Sequence, residues 1–345
     1  MSKYSFNYDY AEGMHPDILK ALQETNLVQQ LGYGEDEYIS EAVEVIKDEL
    51  GRDDVDVHFV CGGTLANLTI ISSSLRSYES VIAASTAHIA GHETGAIEYT
   101  GHKIHTIDTP DGKLNPGLIQ KVLDEHIDEH MVVPKLVYIS NSTEMGTIYT
   151  KEDLTELSKY CKENNLILFL DGARLAMALT SRNNKDLTIK DIAKLTDVFY
   201  IGGTKNGAIL GEAIVLVNDN LKENFRHYMK QRGALLAKGR LFGVQFHTLF
   251  KTGLFYDLAK HANNMAYKLA DGIKQHGYDF LAPVQTNIIL PVFPNKLIDF
   301  LQQEFMFSTW SKIDSGYTSI RLVTSWATKP EKVDEFIHLL NKYKH

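Results

Sequence analysis

From Val55 onward the chain alternates between short runs of apolar residues and longer stretches in which apolar positions recur every three or four residues. The runs at 57–60, 81–84, 104–107, 136–139, 166–170, 198–201 and 213–217 are rich in Val, Ile and Leu and too short for helices, so they predict seven strands. Between most of them lie stretches such as 116–129 and 151–164 with the spacing of amphipathic helices. Strands that are apolar on both faces need cover on both. The pattern therefore predicts an α/β fold, a mainly parallel seven-stranded sheet covered by helices.

Ahead of this region, His15-Pro16 opens a short helix with Ile18, Leu19 and Leu22 on one side. After a break at Gly32-Tyr33-Gly34, a second helix carries Ile39, Ala42, Val43, Ile46 and Leu50 until Gly51 stops it. Past Phe246 helical spacing takes over, notably at 256–275. Strands are expected at 286–291, 307–310 and 319–323 and a closing amphipathic helix at 330–343, which together read as a smaller C-terminal α/β domain. The expected division is residues 1–245, with the N-terminal arm, and 246–345. The joint falls within 239–253, where one long helix could bridge the two.

In parallel sheets ligands gather at the carboxyl ends of the strands, so chemistry is sought just past the apolar runs. The run at 198–201 stops at Gly202-Gly203, and Thr204-Lys205 follow before the chain returns to the next strand. A lysine in a desolvated glycine loop has a lowered pKa and can form a Schiff base with a carbonyl cofactor such as pyridoxal phosphate; a lysine on a solvated loop cannot be told apart by this feature alone. Cys61-Gly62-Gly63-Thr64, ahead of Asn67, turns a strand into a helix and outlines a phosphate cradle, although it is neither a Walker motif nor a dinucleotide fingerprint. Asp171, at a strand end, could face a pyridine nitrogen and keep it protonated, with Arg174 binding an anion nearby; a surface ion pair is the alternative. His88 and His92, four residues apart, could share a metal, but no third ligand in a recognised order accompanies them. The preferred reading is no metal, with His88 lying flat against an aromatic ring.

A net charge of −9 supplies no basic field for nucleic acid or an anionic membrane surface. The chain opens without an apolar signal core, and no run approaches the roughly eighteen apolar residues that span a bilayer. Cys61 and Cys161 stand in no metal or redox spacing, which suits a reducing cytosol, so a cytoplasmic protein is expected.

Taken in order, Thr64 in the glycine turn, His88, Asp171-Gly172-Ala173-Arg174, Thr204-Lys205 and the ending Ile320-Arg321-Leu322-Val323-Thr324-Ser325 resemble the threonine aldolase and β-eliminating lyase family of pyridoxal phosphate enzymes. The resemblance covers most of the chain. It implies the type I, aminotransferase-like fold and a homodimer or homotetramer with shared active sites. It implies further that Lys205 holds pyridoxal 5'-phosphate as a Schiff base, that Asp171 pairs with the ring nitrogen, and that His88 stacks on the ring. Gly63, Thr64, Thr204 and Asn67 would complete the cofactor site. Arg174 and Arg321 would take the substrate carboxylate. Lys238 or Arg240 would reach a partner's phosphate. The positions of Tyr8, His92 and Thr143 contribute to the substrate site in the family, but there they are typically serine, tyrosine and histidine. The implied reaction is cleavage of a β-hydroxy-α-amino acid of the threonine or allo-threonine type to glycine and an aldehyde, with His88, His92 or Glu144 as candidate bases. The alternatives are β-elimination or transamination on another amino acid and, behind these, cofactor binding without turnover.

Overall fold

The computed structural model describes residues 3–343. A short strand, β1 (Tyr4–Ser5), precedes the main sheet, which contains β2 (Asp56–Val60), β3 (Glu79–Ala84), β4 (Ile104–Ile107), β5 (Val133–Ser140), β6 (Ile167–Asp171), β7 (Val198–Gly202) and β8 (Glu212–Leu216). All seven runs predicted between residues 57 and 217 are strands of this one sheet, in the order β2-β8-β7-β6-β5-β3-β4. β8 pairs antiparallel with both β2 and β7; the other pairs are parallel.

The unbroken apolar runs have a direct physical cause. Val137, Ile139, Leu168, Leu170, Phe199 and Ile201 belong to a core on one face of the sheet, whereas Tyr138, Phe169, Val198 and Tyr200 alternate with them into a core on the other. Helices cover both faces. The helix Glu37–Leu50 is capped by the Asp36 carboxylate accepting from the Ile39 amide, and it ends at Gly51 in the left-handed conformation, φ 63°. It lies tightly along the helix Arg240–Lys251, because a Cβ at Gly243 would overlap the backbone of Tyr38.

The region between 239 and 275 is two helices. Arg240–Lys251 stops at Thr252-Gly253, where φ is 74° at the glycine, before Leu254–Gln275 begins. Beyond it, β10 (Val292–Pro294), β13 (Tyr317–Val323) and β12 (Ser308–Lys312) form an antiparallel sheet, with β9 (Ile288–Ile289) also on β13 and β11 (Phe305–Met306) pairing elsewhere. The expected strand at 286–291 is interrupted by Pro291, which has no N–H to continue a ladder, so two shorter strands flank it. The helix Pro330–Lys342 closes the chain.

The N-terminal arm runs along this C-terminal part. β1 pairs with β11, the Val323 amide donates to the Phe6 carbonyl at 2.8 Å, and Phe6 is buried against Phe305 and Phe336. That anchoring carries residues 7–10 toward the carboxyl end of the large sheet. Among the described residues no helix is long and apolar enough to cross a membrane.

Candidate active site

At the carboxyl ends of β5, β6 and β7 lies a cavity of about 260 Å³, lined among others by Thr64, His88, Glu144, Asp171, Lys205 and Glu212. Four of the segments singled out in the sequence therefore meet at one place. Each is delivered by a local feature. β6 ends at Asp171, and a Cβ at Gly172 would overlap the Tyr200 carbonyl oxygen, so only glycine lets the turn lie against β7. Asp171 is held from three sides: the Tyr138 hydroxyl donates to Oδ2, Asn67 Nδ2 approaches Oδ2 at 3.4 Å, and the Ala173 amide donates to Oδ1 at 2.9 Å. The helix Gly63–Ser74 starts at the cavity, with Gly62 and Gly63 on its rim and a Cβ at Gly63 only 3.0 Å from the Tyr200 hydroxyl.

Lys205 sits in the turn between β7 and β8, fixed by reciprocal closure: the Gly211 amide donates to Thr204 Oγ1 at 3.0 Å, and the Gly203 amide to the Gly211 carbonyl at 3.0 Å. Burial, followed by the charge of Arg174, lowers the pKa of the Lys205 amine, with Asp9, Asp171 and Glu212 opposing. His88 Nδ1 lies 2.8 Å from Glu93 Oε1, and its backbone amide donates to Glu144 Oε1 at 3.1 Å. The imidazole is thus anchored on one nitrogen with the other left to the cavity. Burial and the nearby Asp171 raise the pKa of Glu144.

The other expected site residues differ in their surroundings. Arg174 is engaged by a residue that sequence reading did not find: Nε donates to Asp9 Oδ2 at 2.6 Å and Nη2 to Asp9 Oδ1 at 3.1 Å, and Asn287 adds 2.9 Å to Oδ2. Asp9 is wholly buried, which by itself would raise its pKa, yet Arg174 and Lys205 outweigh burial and hold the carboxyl below its usual range. Arg174 is thus paired within the protein, although it still lines the cavity. Arg321 donates to the Asn7 carbonyl at 3.4 Å, and among the described residues no carboxylate lies within ion-pair distance of it. Burial and the neighbouring Arg174 push its pKa down to about 10.

Asn67 is fully buried between Glu93 and Asp171, 2.7 Å from Glu93 Oε1, so it supports Asp171 from beneath and does not line the cavity. Tyr8 is stacked on Tyr10 at 5.0 Å, and Tyr10 is the one that reaches the cavity wall. His92 is exposed, its ring 5.6 Å from that of His88. Thr143 is turned away into a 2.6 Å hydrogen bond with Thr147, leaving Ser142 and Glu144 to face inward. Arg240 donates to the carbonyls of Thr25 and Val28 within its own chain, whereas Lys238 is exposed. Glu212 was also missed. It opens an antiparallel strand, so it precedes its apolar run instead of following it, and nothing past a strand end marks it.

The sequence model of the beta-eliminating lyases matches residues 15–295. The chain belongs to this family. A low specificity L-threonine aldolase from Pseudomonas sp. is 33% identical over 336 residues, spanning 96% of this chain and 95% of the relative. The solved threonine aldolase of Leishmania major superposes with a TM-score of 0.97 at 49% identity, covering 98% of this chain and 99% of that one. An aspartate aminotransferase mutant of Thermus thermophilus, 14% identical, matches with a TM-score of 0.75 over 99% of this chain and 91% of its own, which speaks to the fold alone. The architecture is the type I, aminotransferase-like fold, and this member of the β-eliminating lyase family is a carbon–carbon lyase that depends on pyridoxal phosphate. The residues present fit that group: an amine of lowered pKa, a firmly held carboxylate, an imidazole and a glycine turn at a helix start surround one cavity.

Proposed function

We propose that this lyase cleaves a threonine-type β-hydroxy-α-amino acid to glycine and an aldehyde. Its relatives of high coverage carry the name threonine aldolase, and the observation that carries the reading to this chain is the shared cavity of Lys205, Asp171 and His88. When bound, the cofactor supplies an electron sink for the carbanion left as a bond to Cα breaks. Lys205 would hold it covalently through Nζ, and Asp171 would keep a proton on the ring nitrogen. Gly63, Thr64 and Thr204 would meet its polar groups, and His88 would lie along the ring.

The substrate carboxylate would bind Arg321, a desolvated cation without a carboxylate partner of its own among the described residues. His88 Nε2 would take the β-hydroxyl proton, because Nδ1 is engaged by Glu93. Glycine then forms when a proton is returned to Cα. Lys238 would serve a second copy's phosphate end, since it is exposed, whereas Arg240 holds its own loop. This points to a homodimer or homotetramer with shared sites. Two unpaired cysteines accord with a cytoplasmic setting.

Incubation with L-threonine and L-allo-threonine is expected to yield glycine and acetaldehyde in equal amounts; a keto acid with ammonia instead would sink the aldolase reading. Arg321→Ala should raise KM by about 10- to 100-fold, the worth of one charge-assisted hydrogen bond, with a smaller change in kcat. An unchanged KM would remove Arg321 from the carboxylate site.

A further inference from the structure

Glu212 is hard to explain as structure. It opens β8, a central strand whose next residues, Ala213 to Leu216, are all buried and apolar, and it is itself only 4% exposed. Its register partners are Val60 on β2 and Gly202 on β7, neither of which can neutralise a carboxylate. Oε2 accepts from the Gly203 amide at 3.2 Å, but that amide already donates to the Gly211 carbonyl at 3.0 Å. The strand ladder is thus closed without Glu212, whose carboxylate instead meets the turn that carries Lys205, and burying a carboxylate without a full charge partner is costly. Because β8 runs against its neighbours, its first residue lies at the carboxyl ends of β2 and β7, and the side chain joins Lys205 on the cavity wall.

We infer that Glu212 is the resident proton acceptor for Lys205, holding the proton that Nζ must shed to become a nucleophilic amine and returning it when required. The two groups line one cavity without an ion pair between them in this conformation, so the Lys205 side chain must swing within it for the transfer. That transfer breaks one Nζ–H bond and forms one O–H bond: ammonium with carboxylate becomes amine with carboxylic acid. The electron pair stays on nitrogen. The pair has zero net charge in both forms, so a low-dielectric cavity tolerates either without exporting a proton to water. Electrostatics agree. Burial pushes Glu212 up to about 8, against the pull of Lys205 and a Thr204 hydrogen bond, while Lys205 is lowered toward it. The titratable groups facing Glu212 are Lys205 from the turn, Asp171 from β6 and Tyr200 from β7.

The inference rests on Lys205 being the cofactor lysine, and the experiment separates the two. The full-length apo protein is mixed with pyridoxal phosphate, and the rate at which the visible lysine–cofactor band appears is followed against pH. In wild-type protein the pair holds one proton between its two titration steps, so the rate should be flat around neutrality. Glu212→Gln leaves Lys205 as a single group titrating against solvent, so below its pKa the rate should climb about tenfold per pH unit in one step, without the wild-type plateau between two. Glu212→Asp keeps an acid and should keep the plateau, at displaced edges, which decides the matter even if the glutamine variant does not fold. A Glu212→Gln profile matching wild type, or an aspartate variant with unmoved edges, overturns the inference. Wild-type protein that never acquires the band removes the lysine assignment and the inference with it.

Discussion

Lys205→Ala protein, dialysed after exposure to pyridoxal phosphate, should show no visible lysine–cofactor band and should turn over about 1,000-fold more slowly than wild type, the mid-range worth of a positioned proton-transfer group. The covalent anchor would be lost as well. The band is the decisive readout, because Lys205 is the lysine that the β7 to β8 turn brings to the cavity containing Asp171 and His88. A band that survives dialysis in the variant would mean that another lysine carries the cofactor. Residual binding without the band is compatible with the proposal, since the glycine turn and Asp171 would still hold the cofactor without a covalent bond.

The second large effect is expected in stability. Asp9→Ala leaves the Arg174 guanidinium buried without its two-pronged partner, and removing one member of a buried pair costs about 3–5 kcal/mol. Calorimetry should record this as a fall in melting temperature of roughly 6 °C or more. Replacing both residues, as Asp9→Ala with Arg174→Met, should recover a large part of the loss, because no uncompensated charge remains. A single variant as stable as wild type would mean that the pair contributes nothing. The pH dependence has a defined sign. The folded-state pKa of Asp9 is depressed, so its contribution is present above the unfolded carboxyl value of about 3.9 and is lost as pH falls through the folded value. Wild-type stability should therefore drop in strong acid, and Asp9→Ala should show a shallower drop in that window.

The Asp9 pair also shows how the small C-terminal sheet bears on the site. The arm is held by β1 on β11 and by Phe6 among Phe305 and Phe336, and only with that anchoring does Asp9 reach a residue 165 positions away. Arg174 then remains a fixed charge that depresses the Lys205 amine, while Arg321 stays free of carboxylates among the described residues. Two arginines that look equivalent in the sequence thus have different partners.

Hydrophobic patterning was enough to give the order of elements and the residues at the ends of the parallel strands. Seven apolar runs became one sheet because strands buried on both faces must be apolar at every position, and Asp171 and Lys205 were legible because chemistry in such sheets follows a strand's last residue. Glycines marked the close approaches, as at Gly172 against Tyr200. The rest came from segments that only folding brings together. The reversal of β8 put Glu212 at the cavity although it comes first in its strand, and strand direction leaves no trace in a continuous apolar run. Asp9 met Arg174 through a docked arm without periodicity, Asn67 moved beneath Asp171, and Thr143 turned toward Thr147. These are choices of partner across long separations. Local patterning specifies which face is buried, whereas a polar side chain's partner depends on which distant segment arrives beside it.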